Sequence, residues 1–356
     1  MGWKLVSENQ SLNRGRLVDL EWIAATAMIP VGTLRFGIDV TRNERRPFKI
    51  VDFSSNRDWF RSFVMYHNAD GTISIEHKQG NERRYVRLSG MRCNAGRAQI
   101  SYSWDAPKRT GSLAIECLET GAFAQASFAD PFPLLAADAV ELSVPGAHCR
   151  HDTALTSVSL ADCQMPIGPA PSLGKGTLVM SDNGFRPVEA LRLGDIIMTE
   201  QNGPQPIRWI VSEECPTVGA TKPIRLRAPY FGLGRDVVLA ASQQVQLPGA
   251  HPDYLLGKDR VLVEVGQLLA HPGAQFEDQH ATHTQYQILL DMPDCINACG
   301  LWLESLYVGQ LAEAKSLLAA TRFAELTPEM MPRHRAPTCA PLSKYEAQTL
   351  IDEMVA

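Results

Sequence analysis

The sequence predicts a mainly β protein built as an N-terminal β-sandwich, a second all-β unit and a pair of C-terminal helices. Three observations carry that prediction. A chain of 356 residues exceeds the about 100–200 residues of one domain, which points to two domains and an appendage. Short apolar/polar alternations broken by Gly, Pro, Asn and Asp recur from Gly32 to Leu303, the pattern of many short strands. Helical spacing of apolar residues is confined to the stretch after Leu311.

The strands can be justified in order. Leu34, Phe36, Ile38 and Val40 share one face of a half-buried strand, while Thr33, Arg35 and Asp39 take the other. Phe63, Val64 and Tyr66 form a second run, Asp70-Gly71 a turn, and Ile73 and Ile75 the return strand of a hairpin. Tyr85, Val86 and Leu88 follow. Ile100, Tyr102 and Trp104 alternate until Ala106-Pro107, and Leu113, Ile115 and Cys117 return after Thr110-Gly111. Strands at this spacing imply a sandwich or barrel over 1–145. The composition then shifts to Ala, Ser and Pro and ends in Met165-Pro166-Ile167-Gly168-Pro169-Ala170-Pro171. This reads as a semi-rigid linker over 146–171, with His148-Cys149-Arg150-His151-Asp152 a surface loop inside it.

The second unit is expected over 172–310. Thr177 to Met180 is a β-rich run, Asn183-Gly184 a tight turn, and Ile196 to Met198 a further strand. Val261 to Leu269 loosely echoes Pro187 to Leu191, which suggests two related halves. Tyr286 to Leu290 and Cys295 to Leu303 close the unit. In the helical appendage, 311–356, Leu311, Ala314, Leu317 and Leu318 give one amphipathic segment. The second begins at Ser343, where Glu346 completes a capping box.

Composition narrows the function classes. Thirty-four basic against 39 acidic residues leave a net charge of −5, too weak and too mixed for nucleic acid or an anionic membrane as the main partner. Trp22 to Leu34, the longest apolar stretch, is interrupted by Pro30 and Gly32 and falls short of the about 20 residues that span a bilayer. The first twenty residues carry Lys4, Glu8, Arg14, Arg16 and Asp19 and do not read as a secretory signal, so the mature chain is expected to start at Met1. Eight cysteines lie scattered, which favours buried thiols and a reducing compartment. The expected location is cytoplasmic, or outside the cell by a route that needs no signal.

The phrases GTLRFGIDV, DGTISIEH and AQISYSWDAPKRTGSLAIEC resemble in their order the concanavalin-like or laminin-G-like jelly roll of many lectins. That resemblance implies sugar binding, in some relatives with calcium, and makes Trp104 and Asp105 the candidate ligand-binding residues. The same two residues also read as a core aromatic and a strand-end turn residue. No Asp/Asn cluster resembles a calcium loop.

From Ser172 to about Gly309 the chain resembles the Hint fold of Hedgehog autoprocessing domains and inteins, in its bacterial branch. The resemblance rests on Gly176-Thr177-Leu178, Asp182-Asn183-Gly184, Arg186-Pro187-Val188-Glu189-Ala190-Leu191, Gly194-Asp195, Gly203-Pro204-Gln205-Pro206-Ile207-Arg208-Trp209-Ile210, Ile224-Arg225-Leu226-Arg227-Ala228 and Leu303-Glu304-Ser305-Leu306-Tyr307, in family order. It implies an all-β unit with an internal two-fold and a self-directed acyl shift, in which the first residue attacks the carbonyl before it. Such a shift needs a nucleophile, a proton donor for the leaving amine, and donors for the oxyanion.

The first residue here is Ser172. The resemblance places Gln243 and Gln287 where relatives carry His, and Met292-Pro293 where an Arg-His is usual; Thr177 is the other matched site position. Glutamine donates hydrogen bonds but does not shuttle protons near neutral pH. His280 and His283 are weak candidates for a metal in a polar loop, with His271 nearby; no metal and no cofactor is expected. The preferred reading is therefore a non-catalytic adhesion, assembly or glycan-binding protein whose Hint-like domain has lost its chemistry. Its partner would be a glycan or another protein, with oligomers allowed. The alternative is autoproteolysis at Pro171-Ser172 through an ester, with His271, His280 or His283 recruited as base.

Overall fold

The computed structural model describes residues 2–8, 16–17, 27–43, 47–248, 250–258, 260–277, 280–309, 315–318, 320–324, 326, 331–334 and 341–355. Two compact units divide between Pro169 and Ala170. Both are β, and no described helix is long and apolar enough to cross a membrane.

The first unit is a two-sheet sandwich of jelly-roll type. One sheet has seven strands, in the order Phe123–Ala129, Thr110–Cys117, Arg97–Asp105, Val31–Asp39, Leu155–Ala161, Trp3–Glu8 and Arg16–Leu17. The other has five, in the order Cys149–His151, Phe48–Ser55, Arg61–His67, Ile73–Gln79 and Glu82–Leu88. Alternation turns Phe36, Ile38, Ile100, Tyr102 and Leu113 of the first sheet onto Phe53, Phe63, Met65, Ile75 and Val86 of the second, forming one buried cluster. Phe63 meets Tyr102 edge-on, ring centroids 5.3 Å apart, a favoured aromatic geometry.

The expected linker over 146–171 is corrected by this topology. Helix Ala136–Ser143 precedes it, Cys149–His151 pairs with Phe48–Ser55, and Leu155–Ala161 lies inside the seven-stranded sheet between Trp3–Glu8 and Val31–Asp39. The small Ser and Ala residues belong to an interior strand, and the His148–Asp152 segment is largely an edge strand rather than a loop. Cys149 is buried, and burial pushes its thiol up to about 12.

In the second unit a six-stranded sheet runs Trp209–Pro216, Thr282–Leu289, Leu173–Gly174, Val237–Ala240, Pro223–Leu226, Ala274–Phe276. An eight-stranded sheet is built on the hairpins Leu178–Ser181/Gly184–Pro187, Cys295–Ala298/Leu301–Glu304 and Gln244–Pro248/Arg260–Glu264. The echo between the two halves has a structural counterpart: Gly184–Pro187 and Arg260–Glu264 each run directly into a 3-10 turn, Val188–Ala190 and Val265–Ala270.

Helix Lys344–Val355 is part of this core, burying Ala347, Leu350 and Ile351. Its capping box is formed: Ser343 N donates to Glu346 Oε2 at 2.9 Å and Glu346 N to Ser343 Oγ at 3.3 Å. Of the earlier amphipathic segment, Lys315–Leu318 is helical, while Leu311 and Ala314 lie outside the described residues.

One buried carboxylate organises the turn after Ile196–Met198. Asp294, with no exposed surface, accepts from the backbone N–H groups of Gln201, Asn202 and Cys295 and from Asn202 Nδ2 at 2.7 Å. Removing it strands the buried Cys295 N–H, at a cost of about 1–3 kcal/mol, and leaves the part-buried donors of Gln201 and Asn202 without the acceptor that ties their turn to the sheet. Asp294→Ala is therefore expected to lower the unfolding free energy by about 3 kcal/mol or more, read as a shifted urea midpoint; a midpoint within error of wild type would contradict this.

Candidate functional site

Ser172 opens the second unit immediately before its strand Leu173–Gly174, and the backbone around it is fixed on both sides. Its N–H donates to Tyr286 O at 3.1 Å, and its carbonyl accepts from Ala240 N at 2.7 Å. The crowding is severe at the next residue but one: a Cβ on Gly174 would stand 2.5 Å from the Val238 carbonyl. Only glycine lets these strands approach so closely. Ser172 is 4% exposed, so its hydroxyl must find its partners within the protein.

Those partners are Gln243 and Gln287, 71 and 115 residues further along the chain. The serine Oγ donates to Gln243 Oε1 and lies 2.8 Å from Gln287 Oε1. Gln243 cannot turn, because its amide N–H groups donate to Gln244 O at 2.8 Å and Glu304 O at 3.0 Å. A hydroxyl has one proton, so that proton goes to the fixed carbonyl of Gln243. The Gln287 carboxamide has no such anchor; turned end for end, its N–H group donates to Oγ and completes the serine's bonding.

Three requirements of an acyl shift can be set against this geometry. The group that receives the serine proton is a neutral carboxamide oxygen, which is no base near neutral pH. The Ser172 nitrogen, which would have to leave as an amine, faces the Tyr286 carbonyl, which has no proton to give. No hydrogen bond to the Pro171 carbonyl oxygen is formed among the described residues, so none of them donates at the oxyanion position.

The histidines offer no substitute. His271 is 7% exposed, its Nδ1 accepts from Gly273 N at 2.9 Å, and its ring lies against Tyr230 and Phe231. His280 is exposed in a loop. His283 shares a face of strand Thr282–Leu289 with Gln285 and Gln287, but its four-residue offset from Gln287 is about 13 Å of strand. Burial also pulls the His283 imidazole below its usual range. Among the described residues no group of three or more His, Cys, Asp or Glu side chains is arranged to hold a metal ion. Thr177 is likewise separate: its Oγ1 donates to Gly174 O at 2.7 Å and makes a turn bond.

Trp104 and Asp105, the sugar-site candidates, are corrected. Trp104 is 1% exposed with Nε1 donating to Ile29 O at 3.0 Å, so no ring face is open for stacking. Asp105 is buried, accepts Lys108 N at 3.0 Å and pairs with Lys108 Nζ at 2.9 Å; it closes the strand-end turn.

Sequence reasoning missed Glu304, whose carbonyl anchors Gln243. The residue is half-buried, and burial pushes the carboxyl up to about 7. A charged residue at the end of the apolar strand Leu301–Glu304 was the available signal.

The fold and the site together define a class: an all-β domain whose first residue is a buried serine hydrogen-bonded to two glutamines from distant strands. Residues 171–310 match the family model described as the Hint domain, and this unit is a Hint domain. A comparison with curated proteins found no match.

Among solved structures, the leech intramolecular trans-sialidase is 13% identical over 45% of this chain and 26% of that one, with a TM-score of 0.31. The Ruminococcus gnavus IT-sialidase CBM40 is 12% identical over 45% of this chain and 78% of that one, with a TM-score of 0.27. Tailspike protein 2 of an Escherichia coli O157:H7 bacteriophage is 13% identical over 41% and 21%, with a TM-score of 0.27.

Glu304 gives the second unit a pH dependence of defined sign. The folded state keeps the carboxyl protonated up to pH about 7, whereas the unfolded chain ionises it near 4.5. Its contribution, on the order of 3 kcal/mol, is therefore full below the unfolded value, falls as pH rises, and is gone above the folded value. Urea unfolding is expected to show this loss between about pH 4.5 and about pH 7, and Glu304→Gln to flatten it. A wild-type slope that survives in Glu304→Gln would contradict the assignment.

Proposed function

We propose that the chain acts as an uncleaved binding or assembly protein, in which the Hint domain serves as scaffold and the N-terminal sandwich carries a glycan ligand. The observation that carries the first half is the captive hydroxyl of Ser172. Its proton is committed to an anchored carboxamide, its nitrogen faces a carbonyl, and no described group stands ready at the Pro171 oxygen. Each deficit alone slows an acyl shift; together they remove nucleophile activation, leaving-group protonation and oxyanion stabilisation.

The glycan half is supported by architecture and surface. A two-sheet sandwich leaves the outer face of each sheet for ligand, and that of the five-stranded sheet presents exposed tyrosine and arginine. Tyrosine and arginine are common anchors of recognition surfaces.

Intact mass of the freshly purified chain tests the scaffold reading. One full-length species is expected, unchanged on prolonged incubation and identical in behaviour to Ser172→Ala. Two fragments meeting at Pro171-Ser172, absent from Ser172→Ala, would replace this reading with autoproteolysis. The same preparation on a glycan array is expected to show retained sugars, with Trp104 and Asp105 playing no direct part.

A further inference from the structure

The outer face of the five-stranded sheet combines small residues with long cationic ones. Alternation places Lys49, Ser54, Ser62, Val64, Tyr66, Ser74, Lys78, Arg83, Tyr85, Arg87 and Arg150 on the side away from the core, together with Asp52 and Glu76. Ser62, Val64 and Ser74 are buried to 6%, 6% and 1% exposure although they face outward. These small residues lie low between the strands that carry the long side chains.

Charge on this face is out of balance with the rest of the molecule. Asp52 is taken by Lys49 at 2.9 Å. Glu76 is taken by both Lys78 at 2.8 Å and Arg83 at 2.6 Å, and Arg87 pairs with Asp70 at the sheet end. Arg150 stands directly across from Asp52 in the sheet register, yet forms no ion pair with any described residue. It lies close enough to Lys49 to oppose that ammonium's charge. Five cations thus face three carboxylates on a protein of net charge −5.

Two tyrosines flank these cations. Tyr85, 48% exposed, sits between Arg83 and Arg87 on one strand, a cation–aromatic–cation row about 13 Å long. Tyr66 stands near Lys49.

We propose that this face binds an oligosaccharide bearing carboxylate groups, laid across the strands with a sugar ring against Tyr85 at one edge and a carboxylate at Arg150 at the other, four strand spacings or about 19 Å away. The inference rests on the glycan reading above and narrows it to acidic sugars. Arg150 supplies a fork of donors that no described carboxylate shares and that suits a planar carboxylate; the Arg83 guanidinium lies over the Tyr85 ring, 5.3 Å from its centroid, and the exposed edge and opposite face of the ring are left for a sugar. A nucleic acid or an anionic membrane needs a long array of phosphate contacts. A local surplus of two positive charges on a negatively charged protein does not provide one; a ligand with one or two carboxylates matches it.

The test is an array of carboxylated oligosaccharides printed beside their methyl esters, probed with the full chain and with Arg150→Ala, Tyr85→Ala and, as a control, Tyr254→Ala in the second unit. The altered side chains are exposed, so folding is preserved and is checked by circular dichroism. Acidic sugars are expected to be retained and their esters to bind roughly tenfold more weakly or worse, with a loss of similar size in Arg150→Ala and Tyr85→Ala and none in Tyr254→Ala. Added salt is expected to weaken the acidic binding.

Equal retention of acids and esters, or wild-type binding by Arg150→Ala, would overturn the proposal and leave the glycan reading standing. Retention of no sugar would overturn both. Capture of single-stranded DNA or phosphatidylserine vesicles in place of sugars would overturn the proposal as well.

Discussion

A single proton decides the character of the second unit. The hydroxyl of Ser172 is buried, so its proton must be donated, and among the described residues the anchored acceptor is the carboxamide oxygen of Gln243. Gln243 is anchored because both its N–H bonds end on backbone carbonyls, those of Gln244 and Glu304. The strand that carries Glu304 therefore dictates the direction of a hydrogen bond at a residue 132 positions earlier. A histidine in place of either glutamine would offer a ring nitrogen that titrates near neutrality; a carboxamide offers an interaction of similar reach without proton transfer. The arrangement satisfies buried polar groups, which is what a structural site requires.

The same logic explains why the site is rigid. Leu173–Gly174 is only two residues long, yet it is held between Thr282–Leu289 and Val237–Ala240, with Tyr286 and Ala240 bonding the backbone of Ser172 itself. A peptide bond whose N–H is held at the entry to an interior strand is poorly placed to tilt its carbonyl toward a neighbouring hydroxyl, and Gly174 leaves no slack against Val238. Geometry and proton inventory thus act in the same direction. The exposed aromatic and cationic groups that the Ser172 site lacks stand on the outer sheet face of the first unit, where the proposed binding role is placed.

Much of this was legible in the sequence. Strict alternation made Val31–Asp39, Arg97–Asp105 and Thr110–Cys117 readable, because one side of each strand faces a core. The Hint domain was legible from the order of its turn phrases, and Ser172, Gln243 and Gln287 could be named as a set. Leu155–Ala161 was hidden because a bulge between Leu155 and Ser157 breaks the period of two, and Trp3–Glu8 was hidden by a similar irregularity between Trp3 and Leu5. Trp104 was misleading, since local pattern gives the face of a residue but not what covers that face. The anchoring of Gln243 by Glu304 and the closeness of Arg150 to Lys49 depend on pairings between distant strands, which no local pattern contains.

The central claim is that the amide between Pro171 and Ser172 does not exchange with an ester. Hydroxylamine tests this directly, because it intercepts an ester even when that ester is a minor species. Incubating the intact chain with hydroxylamine near neutral pH and weighing the products is predicted to return the full-length chain alone. A fragment ending in a Pro171 hydroxamate with its complement beginning at Ser172, both lost in Ser172→Ala, would contradict the account.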